Sequence, residues 1–454
     1  MTLSEQLADH VLGLSPEQIP PEVAQKGKHI LLDTIGVMIF GANTDWSLAL
    51  LRHFQEQGGA PQAEVVYHGG RLPMTSAAFV NGTMAHSFDY DDDLAACHIA
   101  CCVVPAALAT GQKMKASGGE VIAAMALGYD FVVRLAETLD AHHVYGMGFH
   151  PTAICGTYGA LAAASRLLGL SREQIINAQG IAASFVSGSL EWLADGSMTK
   201  RFHGGKAAQE GILSACLAAQ GFTAPHGIYE GKNGLFKMFQ AQRPAQRLVR
   251  DLGRRFDMAK SYLKFYPCCT CNAPIIDAVL ALRDEAALRA AQVAEVEVRV
   301  RQVCMSLVGE PLAQKQNPQT ALDAQMSAPY CVAAALLQGR VFPDQFSPEK
   351  ISDPAARELA RKVKVIYDPE LDVDGDPRPV PAEVTVKLTD QRILRKKVEY
   401  QKGTYRNPLT EEELKQKFSI CIQDKLDQER AREIVEMVQN LEEIKDINLI
   451  RLAR

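Results

Sequence analysis

The pattern of apolar and polar positions predicts helices over most of the chain before residue 260. Residues 121–139 and 159–170 are apolar on nearly all sides and rich in alanine and glycine. Such segments are typical of helices buried among other helices. Capping-box sequences begin at Ser15, Ser171 and Thr410, and each predicts the start of a helix. We therefore expect a mainly helical first domain.

The pattern changes near residue 260. Valine or leucine alternates with other residues at 296–300, 363–365 and 384–388, which is the period of a strand. Helical stretches lie between these segments, and a helical pattern returns after Tyr400. This order predicts a mostly α fold with a smaller α+β domain. The expected division is a discontinuous helical domain from residues 1–260 and 400–454, and an α+β domain from residues 261–399.

Composition and charge limit the classes of function. The chain has 454 residues, 47% hydrophobic residues and a net charge of -5, so we expect neither a nucleic-acid partner nor a membrane partner. Eleven cysteines and no recognisable export signal indicate reduced thiols and a cytoplasmic protein.

Residues 86–102, called here the acidic segment, hold four aspartates within five positions and a histidine at each side. Neighbouring carboxylates repel one another, so water, a cation or basic side chains must offset the repulsion. A solvated loop and a magnesium or calcium site are both consistent with this composition, although the EF-hand pattern is absent. The residues concerned are His86, Asp89, Asp91, Asp92, Asp93 and His98.

A basic stretch at residues 196–211 contains Lys200, Arg201, His203 and Lys206. Small residues around these side chains would let a ligand approach the backbone, and a helix N-terminus favours anions. We interpret this stretch as a carboxylate-binding helix start. A basic helix face on the surface is the alternative, although an apolar stretch follows directly.

Two further motifs supply candidate residues. Lys264 stands at the junction of the two compositional regions, just before Cys268, Cys269 and Cys271. The spacing of these thiols does not match the usual zinc motifs, so buried structural thiols are the preferred interpretation. His150 precedes a proline and a glycine- and alanine-rich run, where it is either a site residue or a histidine at the start of a helix.

The motifs HSFDYDD, GFHPTAICGTYGA, SMTKRFHGGKAAQEG, KFYPCC and TALDAQMSAPYCVAAALLQG occur in this order. Together they resemble the MmgE/PrpD family, from about residue 5 to about residue 450. Known activities of that family are 2-methylcitrate dehydration, cis-aconitate decarboxylation and iminodisuccinate epimerisation. The resemblance therefore indicates a family without fixing the reaction.

The resemblance implies a helical domain made from both chain ends, a smaller lid domain, a homodimer, and no organic cofactor or metal. It also implies a site in the cleft between helical domain and lid. The matching motif positions are Asp89, Asp93, His98, His150, Lys200, His203, Lys264 and Tyr330.

Several positions depart from the family pattern. Thr270 and Ala273 stand where relatives often have arginine and histidine, Cys269 stands where cis-aconitate decarboxylase has a histidine, and Asp93 replaces the usual threonine. We also assign Cys269 to the substrate-binding residues. The loss of two polar groups and the gain of an acid argue against the decarboxylase, weaken the case for the tricarboxylate dehydratase, and favour a smaller or less anionic substrate.

We therefore expect a cofactor-independent lyase of the hydro-lyase type that acts on a small di- or tricarboxylate. Lys200 and Lys264 would neutralise carboxylates, and His98 and His150 would exchange protons because ordinary histidines titrate near pH 6.5. Asp89 is a further candidate catalytic residue. The sequence leaves acid and base unassigned between the two histidines. An epimerase or isomerase using the same carbanion is the alternative, and a cis-aconitate-type decarboxylase or a non-catalytic binding protein is less favoured.

Overall fold

The computed structural model describes residues 1–372 and 380–454. The chain forms two compact units, residues 1–261 with 410–454 and residues 262–409. The mostly α, two-domain fold expected from the sequence is confirmed. Thr410, rather than residue 400, starts the returning segment. Residues just before it stay with the second unit because the Leu263 N–H donates to the Gly403 carbonyl.

The first unit is built from packed helices whose small residues allow close approach. A Cβ atom added at Gly211 would lie 2.5 Å from the Leu161 nitrogen and 2.6 Å from the Thr157 carbonyl oxygen. The helix that carries Gly211 can therefore pack closely against Pro151–Leu167 only with glycine there. The helices are Leu3–Gly13, Pro21–Gly41, Asp45–Gln57, Met74–Ala85, Ala100–Met114, Gly118–Leu139, Ala141–Gly146, Pro151–Leu167, Arg172–Ala182, Trp192–Asp195, Thr199–Ala219, Leu235–Met238, Glu411–Ile422 and Gln428–Gln439.

Two of the three predicted capping boxes start helices. The side chain of Ser171 accepts from the Gln174 N–H, and that of Thr410 accepts from the Glu413 N–H. The prediction at Ser15 is wrong, because only a short 3-10 turn, Pro16–Gln18, follows it. The next helix begins at Pro21, since the Pro20–Pro21 pair removes the N–H donors and restricts the residue before each proline.

The second unit is the α+β part of the fold. Its four-stranded sheet has the order Val363–Tyr367, Val293–Val300, Ala382–Leu388, Ile393–Val398. The first pair is parallel and the other two pairs are antiparallel, and the three valine patterns of the sequence form three of these strands. The unit also contains the short strand Tyr262–Leu263 and the helices Ala273–Glu285, Gln302–Cys304, Leu312–Lys315, Ala321–Gln325, Ala328–Gln338, Pro348–Ile351 and Pro354–Arg361.

A buried ion pair connects the returning C-terminal segment to the N-terminal helices of the first unit. Lys417 Nζ lies 2.7 Å from Asp33 Oδ1, donates to the Tyr90 carbonyl at 2.7 Å and sits 4.1 Å from the centre of the Tyr90 ring. Tyr90 belongs to the acidic segment. The C-terminal helix Glu411–Ile422 therefore supports the backbone on which the candidate site is built.

Within the described residues, no single helix combines the length and apolar character needed to span a membrane. The consecutive helices Pro21–Gly41 and Asp45–Gln57 meet that criterion only as a pair, and they are bent by 89°.

Candidate active site

The candidate residues of the first unit lie at helix ends. His86 is the C-cap of Met74–Ala85, and His150 is the N-cap of Pro151–Leu167. His98 lies two residues before Ala100–Met114, and Lys200 and His203 lie near the start of Thr199–Ala219. The close packing of these helices brings the polar ends together.

The acidic segment is buried, so its interpretation as a solvated loop is wrong. Asp91 and Asp92 are 0% exposed and Asp89 is 2% exposed, whereas Asp93 is partly exposed. Asp92 accepts hydrogen bonds from the Ile99 and Ala100 N–H groups and from two hydroxyls, those of Tyr129 and Ser261. Burial raises the pKa of Asp92 to about 6. Through its hydrogen bonds with the Ile99 and Ala100 N–H groups, Asp92 anchors the start of the helix Ala100–Met114.

His86, Asp91 and His98 form one buried network. His86 Nδ1 lies 2.8 Å from Asp91 Oδ2, and His98 Nδ1 lies 3.4 Å from Asp91 Oδ1. Burial lowers the pKa of His86 to about 3, although Asp91 acts in the opposite direction. Burial would raise the pKa of Asp91, but the two histidines outweigh it and hold that pKa well below its usual value. Asp91 is therefore an anion at neutral pH and His86 is neutral.

Asp89 joins His98 to Lys200. Asp89 Oδ1 lies 2.9 Å from Lys200 Nζ and 3.4 Å from His98 Nε2. The other ring nitrogen of His98, Nδ1, lies 3.0 Å from the Asp92 carbonyl oxygen. A carbonyl oxygen only accepts, so Nδ1 carries a proton, and in the neutral form of this ring the lone pair is on Nε2. A cation, an anion and a base are thus in contact.

His150 occupies the N-cap position of its helix, but its side chain contacts a second histidine instead of forming a cap hydrogen bond. His150 Nδ1 lies 3.0 Å from His203 Nδ1, and the His150 side chain makes no cap hydrogen bond. Burial lowers the pKa of His203 to about 4. Burial, followed by the neighbouring charge of His203, holds the pKa of His150 well below its usual value. The assumption of a pKa near 6.5 is therefore wrong for His150, whose side chain is out of water.

The first three basic side chains of the basic stretch are also buried, so a surface helix face is wrong for them. Lys200, Arg201 and His203 are 4%, 7% and 3% exposed. Lys206 turns away to Glu210, with 2.7 Å between Nζ and Oε2, and to the Phe185 carbonyl. The basic side chains thus fall into two groups. Lys200, Arg201 and His203 are buried within the candidate site, and Lys206 forms an ion pair with Glu210 one turn later.

Three predicted site residues belong to the second unit. Lys264 is buried. The Cys269 N–H donates to the Gln325 carbonyl, and the Tyr330 hydroxyl donates to the Gln345 carbonyl. Burial raises the pKa of Tyr330 above its usual value. The part of these residues in binding substrate stays a prediction from the family resemblance.

The local spacing of cysteines and aspartates matches no standard metal-binding motif, but donor atoms far apart in sequence can still meet in the fold. Tertiary structure gathers three sets of donor atoms, each within 4.8 Å of one another, and all are buried. The sets are His86, His98 and His150; His86, Asp91 and Cys101; and Asp89, Asp91 and His98. Cys268, Cys269 and Cys271 occur in none of these sets among the described residues, and all eleven cysteines are free thiols.

Sequence reasoning missed Trp192. Its neighbours from Leu193 to Gly196 are exposed, yet Trp192 is 5% exposed. Lys200 Nζ lies 5.4 Å from its ring centre, and the centres of the Trp192 and His150 rings are 6.2 Å apart. The feature of the sequence that could have indicated this residue is a tryptophan within a polar, glycine-containing stretch. His86 and Asp91 were noticed in their motif but not placed among the site residues.

Comparisons with known proteins agree with the motif resemblance. The model of the MmgE/PrpD N-terminal domain matches residues 5–248, and that of the MmgE/PrpD C-terminal domain matches residues 266–443. A cis-aconitate decarboxylase-like protein of Aspergillus oryzae is 27% identical over 98% of this chain and 96% of its own.

Two other relatives carry different activities in their names. The cis-aconitate decarboxylase of Homo sapiens is 27% identical over 99% of this chain and 94% of its own. The 2-methylcitrate dehydratase of Cupriavidus necator is 24% identical over 81% of this chain and 78% of its own. Relatives named for decarboxylation and for dehydration thus both align with this chain, and because both domain models of the family match it, this chain belongs to the MmgE/PrpD family.

Proposed function

We propose that the chain is a hydro-lyase that acts on a small di- or tricarboxylate without an organic cofactor. The observation that carries this proposal is the contact of His98 Nε2 with Asp89 at 3.4 Å and of Asp89 with Lys200 at 2.9 Å. A base and a cation held together in a buried place can remove a proton next to a carboxylate and stabilise the negative charge that develops.

In this proposal His98 is the base. Its Nδ1 proton is engaged by the Asp92 carbonyl, so Nε2 receives the proton from the substrate carbon. The Asp89 carboxylate then stabilises the imidazolium that forms, because an opposite charge within about 4–6 Å favours the protonated histidine. Lys200 lies beside Asp89 and offers its ammonium group to a substrate carboxylate.

His150 completes the elimination. The electron pair of the broken C–H bond forms the alkene, hydroxide leaves the neighbouring carbon, and a proton from His150 converts it to water. Burial holds His150 neutral in the free protein. An anionic substrate beside it raises its pKa, because negative charge favours imidazolium. His203, 3.0 Å away, orients the His150 ring.

The remaining assignments rest on the family resemblance. Lys264 neutralises a second carboxylate, and Asp93, Cys269 and Tyr330 contact the substrate. The same resemblance supports a homodimer, and the free thiols suit a cytoplasmic protein.

The choice between the activities of the relatives rests on departures in sequence. Thr270 and Ala273 replace polar residues frequent in the family, and Cys269 replaces the decarboxylase histidine. These changes favour dehydration, the activity in the name of the Cupriavidus necator relative, over decarboxylation, the activity in the name of the human relative.

An epimerase is the second candidate. His98 and His150 are separate acid–base groups with ring centres 6.2 Å apart. If no group leaves, protonated His150 donates its own proton to the opposite face of the same carbon, and His98 keeps the proton that it removed. The first half of the reaction is then identical.

Turnover in deuterated water distinguishes these reactions. We would incubate the protein with 2-methylcitrate, citrate, malate and cis-aconitate, and follow alkene by absorbance, carbon dioxide by release, and deuterium by NMR. Alkene formation from a hydroxy acid supports the proposal. Deuterium incorporation without alkene indicates the epimerase, and carbon dioxide from cis-aconitate indicates the decarboxylase. The Lys200→Ala variant serves as the control with reduced activity.

We expect EDTA to leave the activity undiminished. Lys200 and the histidines supply the positive charge and the proton transfer that the reaction needs, so no step requires an ion. The measurement is initial rate after dialysis against EDTA. Activity that disappears and returns with a divalent ion would contradict the expectation.

A further inference from the structure

The imidazole rings of His86, His98 and His150 converge in the first unit. Ring centres are 4.6 Å apart for His86 and His98, 6.0 Å for His86 and His150, and 6.2 Å for His98 and His150. One potential ligand atom of each ring lies within 4.8 Å of those of the other two. We call these three residues the histidine triad.

Each ring of the histidine triad is held through Nδ1. The partners are Asp91 Oδ2 at 2.8 Å for His86, the Asp92 carbonyl at 3.0 Å for His98, and His203 Nδ1 at 3.0 Å for His150. Metal-binding histidines typically have one ring nitrogen fixed by a carboxylate or carbonyl, which leaves the other nitrogen for the metal. His86 and His98 fit this pattern, whereas the partner of His150 is a second histidine.

His86 gives an independent indication of a ligand. Its Nε2 atom is buried and has no hydrogen-bond partner among the described residues. Because ionised Asp91 accepts from Nδ1, the neutral ring has its lone pair on Nε2. A buried polar atom without a partner is costly and calls for an explanation such as an ion or a water. Neither the proposed reaction nor the packing of the helices uses this atom.

We propose that the histidine triad binds one divalent cation of the zinc type. Three imidazole nitrogens suit zinc, copper or nickel, whereas magnesium and calcium prefer oxygen ligands. A tetrahedral zinc with Zn–N distances of about 2.0–2.1 Å needs nitrogens roughly 3.4 Å apart. The donor atoms lie within 4.8 Å of one another, so each pair must approach by at most roughly 1.4 Å, the difference from the tetrahedral spacing, and water takes the fourth position.

The surrounding charge permits a cation. Asp89 and Asp91 both lie within 3.4 Å of His98, and Lys200 is paired with Asp89 at 2.9 Å. Arg201, which is also buried and interacts with the charges of Asp89 and Asp91, is a second cation beside the histidine triad. Two carboxylates are therefore balanced by two cations, so no net positive charge opposes an incoming ion. His98 retains 8% exposure, whereas His86 and His150 are 0% and 1% exposed, so the ion reaches the triad past His98.

A metal ion bound to the histidine triad would inhibit the enzyme, and this consequence rests on the proposed function. A metal bound by His98 and His150 takes the lone pairs that proton transfer requires. The site is thus inhibitory and is compatible with undiminished activity in EDTA. Binding itself does not depend on what reaction the protein catalyses.

Binding is tested on the full-length, metal-free protein with Co²⁺ and Zn²⁺. We expect Co²⁺ to produce the visible absorption of a four-coordinate site, saturating at one ion per chain, and Zn²⁺ to displace it. His86→Gln and His150→Gln should each weaken Zn²⁺ binding at least 10-fold, the usual scale even for partners of metal ligands. Circular dichroism verifies that each variant is folded. Because two variants are used, the test still decides if one of them fails to fold.

His10→Gln is the matched control. His10 Nε2 lies 2.9 Å from Asp130 Oδ2, so this variant removes another histidine of a histidine–carboxylate pair, one outside every donor set found in the described residues. It should bind Zn²⁺ as the unmodified protein does. Absence of a four-coordinate Co²⁺ spectrum, or unchanged Zn²⁺ affinity in both triad variants, would overturn the proposal. Turnover with the carboxylate panel is measured separately, so failure of this site leaves the proposed reaction standing.

Discussion

His150→Gln is expected to reduce kcat about 10²- to 10⁴-fold, the usual contribution of a general acid or base, while the protein stays folded. Glutamine retains an amide that can meet His203, which lies 3.0 Å from His150, but it cannot carry the proton. Melting temperature and kcat should be measured on the same sample. Near-normal kcat in folded protein would remove His150 from the mechanism and make it an ordinary histidine at the start of a helix.

Lys200→Ala is expected to behave differently from His150→Gln. Its ammonium group meets the substrate carboxylate in both the ground state and the transition state, so KM should rise as well as kcat fall. Its removal also leaves Asp89 without the cation 2.9 Å away, which weakens the support of His98. A pure kcat effect for Lys200→Ala would contradict this assignment.

His10→Gln is the control for both variants. His10 is a mostly buried histidine that forms a carboxylate pair with Asp130. The same chemical change there should alter stability more than kcat. If His10→Gln and His150→Gln reduced kcat equally, the loss would reflect general damage rather than proton transfer.

Lys417→Met is expected to reduce the free energy of unfolding by about 3–5 kcal/mol, the usual cost of removing one partner of a buried ion pair. The side chains of Lys417 and Asp33 are 1% and 2% exposed. Burial raises the pKa of Asp33, and Lys417 only partly opposes that rise. Without Lys417, a buried carboxyl and the Tyr90 carbonyl lose their cationic partner.

Urea denaturation followed by tryptophan fluorescence measures the loss of unfolding free energy in the first unit, which contains Lys417. The chain has two tryptophans, Trp46 and Trp192, and both belong to the first unit. Lys415→Met on the same helix should change stability by no more than about 0.5 kcal/mol, because Lys415 is exposed. The double variant Lys417→Met/Asp33→Asn should recover part of the loss, since it no longer buries an unpaired charge. A loss below about 1 kcal/mol for Lys417→Met would contradict the buried-pair argument.

Local patterns sufficed where a short-range preference agreed with the packing. Alternating valines predicted the strands at 293–300, 363–367 and 382–388, because one face of each strand is buried. The capping boxes at Ser171 and Thr410 formed as expected. The box at Ser15 produced only a 3-10 turn, because the Pro20–Pro21 pair interrupts the helix that would follow.

The sequence by itself determined the family, the mostly α fold and the residue types of the candidate site. The reason is that five motifs occur in order along the chain, and each can be recognised from a short run of residues. Only the tertiary structure decided which of these polar residues are buried and what they contact. Asp92 anchors a helix, Asp89 connects Lys200 to His98, and His86 is a neutral histidine with one buried nitrogen that has no hydrogen-bond partner among the described residues. These outcomes depend on burial and on contacts between residues far apart in sequence, which set charge states and hydrogen-bond partners and which no local pattern contains.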